Sequence, residues 1–123
     1  MEINKLHGQG NHLILDGFSE ETLGNYEFIK IFLLDLVEKI KMNAISKPLV
    51  INHKAKEESE SGITGIIILA ESNITIHTYP YKGWFCLDIY SCKEFDVKQT
   101  IKYLIKELKI TKYKSRLLKR GFY

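Results

Sequence analysis

The sequence predicts an α+β fold: a two-layer sandwich in which two helices pack on one face of an antiparallel sheet, in the order β-α-β-β-β-β-α-β. Two segments repeat apolar residues at helical spacing, and each needs a surface on which to bury its stripe. Strand-like runs stand before, between and after them, and the clearest of these alternate apolar with polar residues, so that one sheet face is apolar. A single sheet carrying both helices on that face satisfies both demands.

Taken in order, residues 12–18 read as a first strand around Leu13, Ile14 and Leu15. Ser19-Glu20-Glu21 predicts a helix start, with a serine cap and acids in the first turn. The stripe of that helix is Ile29, Phe32, Leu33, Leu36, Val37 and Ile40. Pro48 follows its end, and Leu49-Val50-Ile51 reads as the second strand. The polar stretch 54–62, with Glu57, Glu58 and Glu60, is predicted as a loop. Residues 63–70 and 74–79 are the third and fourth strands. Only Glu71-Ser72-Asn73 separates them, without the Gly or Asn-Gly that ordinary hairpins place there. Tyr81-Lys82-Gly83 after Pro80 is a normal turn. In the fifth strand, 84–92, Phe85, Leu87 and Ile89 should face the core, leaving Trp84, Cys86, Asp88, Tyr90 and Cys92 on the other face. Asp96 caps a second helix with Val97, Ile101, Leu104, Ile105 and Leu108 on one side. A last strand covers residues 112–118.

The chain of 123 residues is read as one domain, 1–123, long enough to bury a single core. No apolar run approaches the ~20 residues of a membrane span. The start, Met-Glu-Ile-Asn-Lys, lacks the charged-then-apolar pattern of a signal peptide, so a cytoplasmic location is the default. Cys86 and Cys92 are six apart on one extended stretch, roughly 20 Å, beyond disulfide reach, and are read as free thiols. The net charge is +3, and Lys109, Lys112, Lys114, Arg116, Lys119 and Arg120 make the C-terminus locally basic. With no RNA-binding aromatic signature beside them, these are read as a solvated strand and tail rather than a nucleic-acid surface.

Three residues on strand-like segments bring together a nucleophile, a base and a proton donor: Ser72, His77 and Cys92. Each also has an ordinary reading. His77 could simply hydrogen-bond between strands, and a free cysteine such as Cys92 or Cys86 is often a small buried apolar residue. A sheet face carrying Tyr79, Trp84 and Tyr90 among polar groups is costly to leave wet in so small a domain, so a homodimer is expected.

Glu71-Ser-Asn-Ile-Thr-Ile-His77-Thr-Tyr-Pro80, followed by Leu87-Asp-Ile-Tyr-Ser-Cys92, resembles the small prokaryotic S-adenosylmethionine decarboxylases, which cut their own chain before a serine to make a pyruvoyl cofactor. The serine-to-histidine and histidine-to-cysteine spacings match. Gly10-Asn-His-Leu-Ile-Leu-Asp16 resembles the family's opening strand. The resemblance implies that Ser72 Oγ attacks the Glu71 carbonyl, that the ester undergoes β-elimination, and that the dehydroalanine hydrolyses to a pyruvoyl group at position 72. The products are a β chain 1–71 and an α chain 72–123. The new ketone forms a Schiff base with the substrate amine and takes up the electrons released with CO₂.

By the same resemblance His77 is the proton acceptor in processing, Thr64 assists it, and Cys92 reprotonates the decarboxylated product. Asp88 matches a family aspartate, either a site carboxylate or a strand-end acceptor. Asn73 replaces a family histidine. The substrate-reading positions depart further: Glu58 stands where the family has a Phe that stacks on adenine, and Tyr81 where it has a ribose-binding Glu. Tyr79, replacing Trp, is a stacking partner for a purine. The implied function is S-adenosylmethionine decarboxylation in polyamine (spermidine) biosynthesis, without a metal. The alternatives are a pyruvoyl decarboxylase for arginine or ornithine, with the acidic run at 57–60 either a specificity element or a solvated loop, and an uncleaved regulatory paralogue.

Overall fold

The computed structural model describes residues 9–121; the segment 1–5 read above for a signal pattern lies outside them. Eight elements follow in order: β1 (Gln9–Ser19), α1 (Tyr26–Lys39), β2 (Leu49–His53), β3 (Gly62–Leu69), β4 (Ser72–Tyr79), β5 (Trp84–Ser91), α2 (Val97–Glu107) and β6 (Ile110–Gly121). They form one six-stranded sheet in the order β2-β3-β4-β5-β1-β6, with every neighbouring pair antiparallel. The predicted α+β sandwich and its element order are those observed.

The core lies between this sheet and the helices. Leu13 and Leu15 of β1, Ile74 and Ile76 of β4, and Phe85, Leu87 and Ile89 of β5 are at most 1% exposed. The whole α1 stripe is buried against them, and Leu104 and Leu108 close the core from α2. Each such side chain contributes about 1.5–3 kcal/mol by leaving water. The strand alternation puts the other set on the open face: Thr64, Thr75, His77, Tyr79, Trp84, Cys86, Asp88 and Tyr90.

Several boundaries differ from the sequence reading: β1 starts at Gln9 rather than residue 12, β4 at Ser72 rather than 74, and β5 ends at Ser91, and the start of α1 and the extent of β6 differ most. Ser19 caps no helix. It is the last residue of β1, paired beyond a bulge with Ile110 and 2% exposed, and its N–H donates to the Gly83 carbonyl at 2.8 Å. The cap of α1 is Asn25, whose side chain accepts the Phe28 N–H at 3.0 Å. The last strand is longer than predicted, because its charged residues pair with β1 along nearly their whole run. The 54–62 loop holds a single 3-10 turn, Glu58–Glu60. Gly62 closes that loop where a Cβ would sit 1.7 Å from the Thr78 carbonyl oxygen, so no larger residue fits. Among the described residues no helix is long and apolar enough to cross a membrane.

Candidate active site

The link noted as odd in the sequence is a two-residue hairpin. Leu69 pairs with Ser72, leaving Ala70 and Glu71 as the turn. Neither takes a positive φ, so this is not the type I′ turn whose twist matches its strands. The hairpin is held instead from outside. Ala70 N–H donates to the Asn43 carbonyl at 2.9 Å, and Cys92 N–H donates to the Glu71 carbonyl at 3.1 Å. The carbonyl preceding Ser72 therefore already has a donor on its oxygen, where negative charge would collect if a nucleophile added to it.

Ser72 has the parity of Ile74 and Ile76, so its side chain points to the helix side. Its hydroxyl lies 2.7 Å from Ser91 Oγ and 3.3 Å from Met42 Sδ. The cavity on this side, between Met42, Leu69, Glu71 and Lys93, is about 10 Å³, room for one water at most. Cys92 stands one residue past β5, exposed, its sulfur 3.4 Å from the Tyr90 hydroxyl. A cavity of about 250 Å³ opens beside it, lined by Gln9, Gly10, Asn11, Cys92, Glu94 and Lys119.

His77 lies elsewhere. It is exposed on the open face, and Thr64 Oγ1 on the neighbouring strand is 3.0 Å from its Nδ1. The structure thus brings Thr64 and His77 together. It does not bring His77 to Ser72: they stand five positions apart along β4, about 16 Å, and an odd difference puts them on opposite faces. Cys86 pairs directly with His77 and with Asp16 on the open face. The sequence reading made Cys86 a small buried apolar residue; it is only half-buried. Partial burial, then the charge and hydrogen bond of Asp16, and lastly the charge of Asp88, push its thiol up to about 11. Asp88 lies beside His12, its Oδ1 3.6 Å from His12 Nε2.

At the far end of the sheet the Tyr79 ring stacks on Trp84, with centroids 4.9 Å apart and planes 15° apart, and Lys82 Nζ lies 6.0 Å from the Tyr79 ring centre. One Tyr79 face is therefore occupied by Trp84. Tyr81 donates to Glu58. That hydrogen bond, followed by desolvation and the Glu58 charge, raises the phenol pKa, which keeps the donor proton on Tyr81. Lys82 Nζ holds Glu60 at 2.6 Å.

Comparison with known proteins gives this geometry a family. Residues 11–121 match the family model described as S-adenosylmethionine decarboxylase. The chain belongs to that family. The S-adenosylmethionine decarboxylase proenzyme of Brevibacillus brevis is 34% identical over 91% of this chain and 82% of its own length. That of Archaeoglobus fulgidus is 29% identical over 91% and 97%. The crystal structure of the Aquifex aeolicus adenosylmethionine decarboxylase has the same fold, with a TM-score of 0.78 over 93% of this chain and 92% of that one, at 24% identity. Two members of the hairpin cluster escaped the sequence reading of this S-adenosylmethionine decarboxylase relative: the Ser91 hydroxyl and the Cys92 amide. The parity of Ser91 with Leu87 and Ile89 was legible, but its pairing with Ser72 is a matter of register.

Proposed function

We propose that this chain is a self-processed, pyruvoyl-dependent S-adenosylmethionine decarboxylase serving polyamine (spermidine) synthesis. The observation that carries the reading is the hairpin: a serine hydroxyl follows a carbonyl whose oxygen is already held by the Cys92 N–H. Ser72 Oγ adds to the Glu71 carbonyl carbon, and cleavage leaves a β chain 1–71 and an α chain 72–123. The hairpin accommodates a pyruvoyl group at position 72, because the scissile peptide ends a turn and its loss frees the start of β4 without cutting a strand. Once made, that group supplies an electron sink for the CO₂-releasing step. Cys92, exposed beside the 250 Å³ cavity, returns a proton to the product carbon.

His77 serves the elimination that follows ester formation, with Thr64 fixing its ring. Since His77 and Ser72 of one chain are about 16 Å apart on opposite faces, the reading requires either a large rearrangement of β4 or a second copy. We favour a homodimer in which His77 and Thr64 of one copy meet Ser72 and Cys92 of the other. The open face, carrying Ile51 and Phe18 at about half exposure beside Tyr79 and Trp84, supports such a contact.

For the substrate, Glu58 and Tyr81 supply an acid and an aromatic ring joined by a hydrogen bond. Relative to the resemblance noted above, the two residue types have changed places. A ring for adenine and a carboxylate for ribose hydroxyls both remain available, at the same end as Tyr79, with weaker binding than a dedicated slot would give. The pairing of Glu60 with Lys82 offsets one charge of the acidic run and argues against an acidic mouth for arginine or ornithine. The test is processing and turnover together. Wild-type protein should run as two fragments under denaturing conditions, Ser72→Ala as one, and labelled CO₂ should be released from S-adenosylmethionine and not from arginine or ornithine. A wild-type chain that stays whole sinks the reading in favour of a regulatory protein.

A further inference from the structure

Ser72 and Ser91 face each other across the β4–β5 ladder at the row nearest the hairpin. Ser91 is 0% exposed, on the face that Leu87 and Ile89 fill with aliphatic side chains. A hydroxyl placed there is costly unless it is used. Its oxygen accepts the Lys93 N–H at 2.8 Å and lies 2.7 Å from Ser72 Oγ, which donates to it. Met42 Sδ, the other acceptor in reach of Ser72, is farther at 3.3 Å and chemically weaker. The next residue, Cys92, donates its N–H to the Glu71 carbonyl. One short turn, Ser91-Cys92-Lys93, therefore holds both the hydroxyl that follows the Glu71–Ser72 bond and the carbonyl of that bond. A bond from Ser91 to Lys93 alone would be an ordinary turn at a strand end. The contact with Ser72 is additional to it.

We infer that Ser91 is a positioning residue for chain cleavage: its oxygen fixes the Ser72 hydroxyl in one of its three staggered positions, so that an Oγ lone pair faces the Glu71 carbonyl carbon. The inference rests on the self-cleavage reading above. In the acyl shift the Ser72 Oγ–Glu71 C bond forms, the Glu71 C–Ser72 N bond breaks, and the hydroxyl proton ends on the Ser72 nitrogen. Ser91 neither gains nor loses an atom.

Ser91→Thr and Ser91→Val match in shape and differ in the hydroxyl. Each is made by cell-free synthesis, and conversion of the full chain to fragments is timed by denaturing gel and intact mass, with circular dichroism confirming the fold. Ser91→Thr should cleave at close to the wild-type rate, and Ser91→Val about 100-fold more slowly, the cost of a nucleophile out of place by an ångström or so. Neutral hydroxylamine, which cuts esters and not amides, should release no fragments from Ser91→Val, because its block precedes the ester. It should release them from His77→Ala, whose block follows it. A folded Ser91→Val that cleaves like Ser91→Thr overturns the inference, as does hydroxylamine release from it. If Ser91→Val does not fold, Ser91→Ala carries the same comparison, and near-wild-type cleavage there is equally fatal. A wild-type chain that never cleaves is a different result, and removes the self-cleavage reading itself.

Discussion

The two ends of β4 differ in almost every physical respect. At the Ser72 end the side chain turns toward the helices, the space around it is about 10 Å³, and the partners are a buried hydroxyl and a backbone N–H. At the His77–Tyr79 end the side chains stand on the open face, and the partners are Thr64, Trp84 and, across the turn, the Tyr81–Glu58 pair. The first end is built to hold one peptide bond still. The second is built to meet something that arrives. On the self-processing reading proposed above, one chain carries two half-sites, separated by strand parity as much as by distance.

The sharpest way to break this comparison is to divide the halves between chains. Ser72→Ala and His77→Ala should each fail to yield fragments alone. Co-expressed, they should give fragments from the His77→Ala chain, in about half of its copies if random pairing gives a two-fold dimer with one complete site per mixed pair. No fragments from the mixture would mean that His77 reaches Ser72 within its own chain or serves another purpose. A smaller effect sharpens the outer half. Tyr81→Phe removes the bond to Glu58 and should raise KM for S-adenosylmethionine about tenfold with kcat nearly unchanged, as loss of one charge-assisted hydrogen bond predicts. A fall in kcat at constant KM would move the pair from binding into the chemistry. The smallest effect concerns the two thiols. With Cys86 pushed up to about 11 by burial and Asp16, it stays protonated at pH 8, so iodoacetamide should label the exposed Cys92 first, as read by peptide mass. Labelling of Cys86 should rise only as the pH climbs toward that value. Equal rates at pH 8 would contradict the Asp16–Cys86 pairing.

The fold was legible because its two helix stripes and the Phe85-Leu87-Ile89 alternation are periodic, and burial follows period. The start of α1 was misread because Ser19-Glu20-Glu21 has the composition of a cap, while Ser19 is claimed by the ladders of β1 and by Gly83. The true cap, Asn25 with Glu27 in the first turn, carried an equally good signal a few residues on. The run of β6 was under-called because lysine and arginine on an edge strand hide the alternation that pairing with β1 enforces. In the candidate site, residue types were easier to read than their places. Residue types and spacing singled out Ser72, His77 and Cys92, and the odd difference between 72 and 77 already implied opposite faces. Register was not readable, so the contact of Ser72 with Ser91 and the grip of Cys92 on Glu71 emerged only from the folded hairpin.

The sheet order has a mechanical consequence for a cut at Glu71–Ser72. The piece before it contains β1, β2 and β3, and the piece after it contains β4, β5 and β6. In the sheet, β1 lies between β5 and β6, so the two pieces are threaded through one another rather than set side by side. They could part only if β1 let go on both flanks while β3 released β4. Breaking the chain there severs a covalent connection without loosening the body it belonged to, and the only parts set free are the two new chain ends, at Glu71 and at the tip of β4.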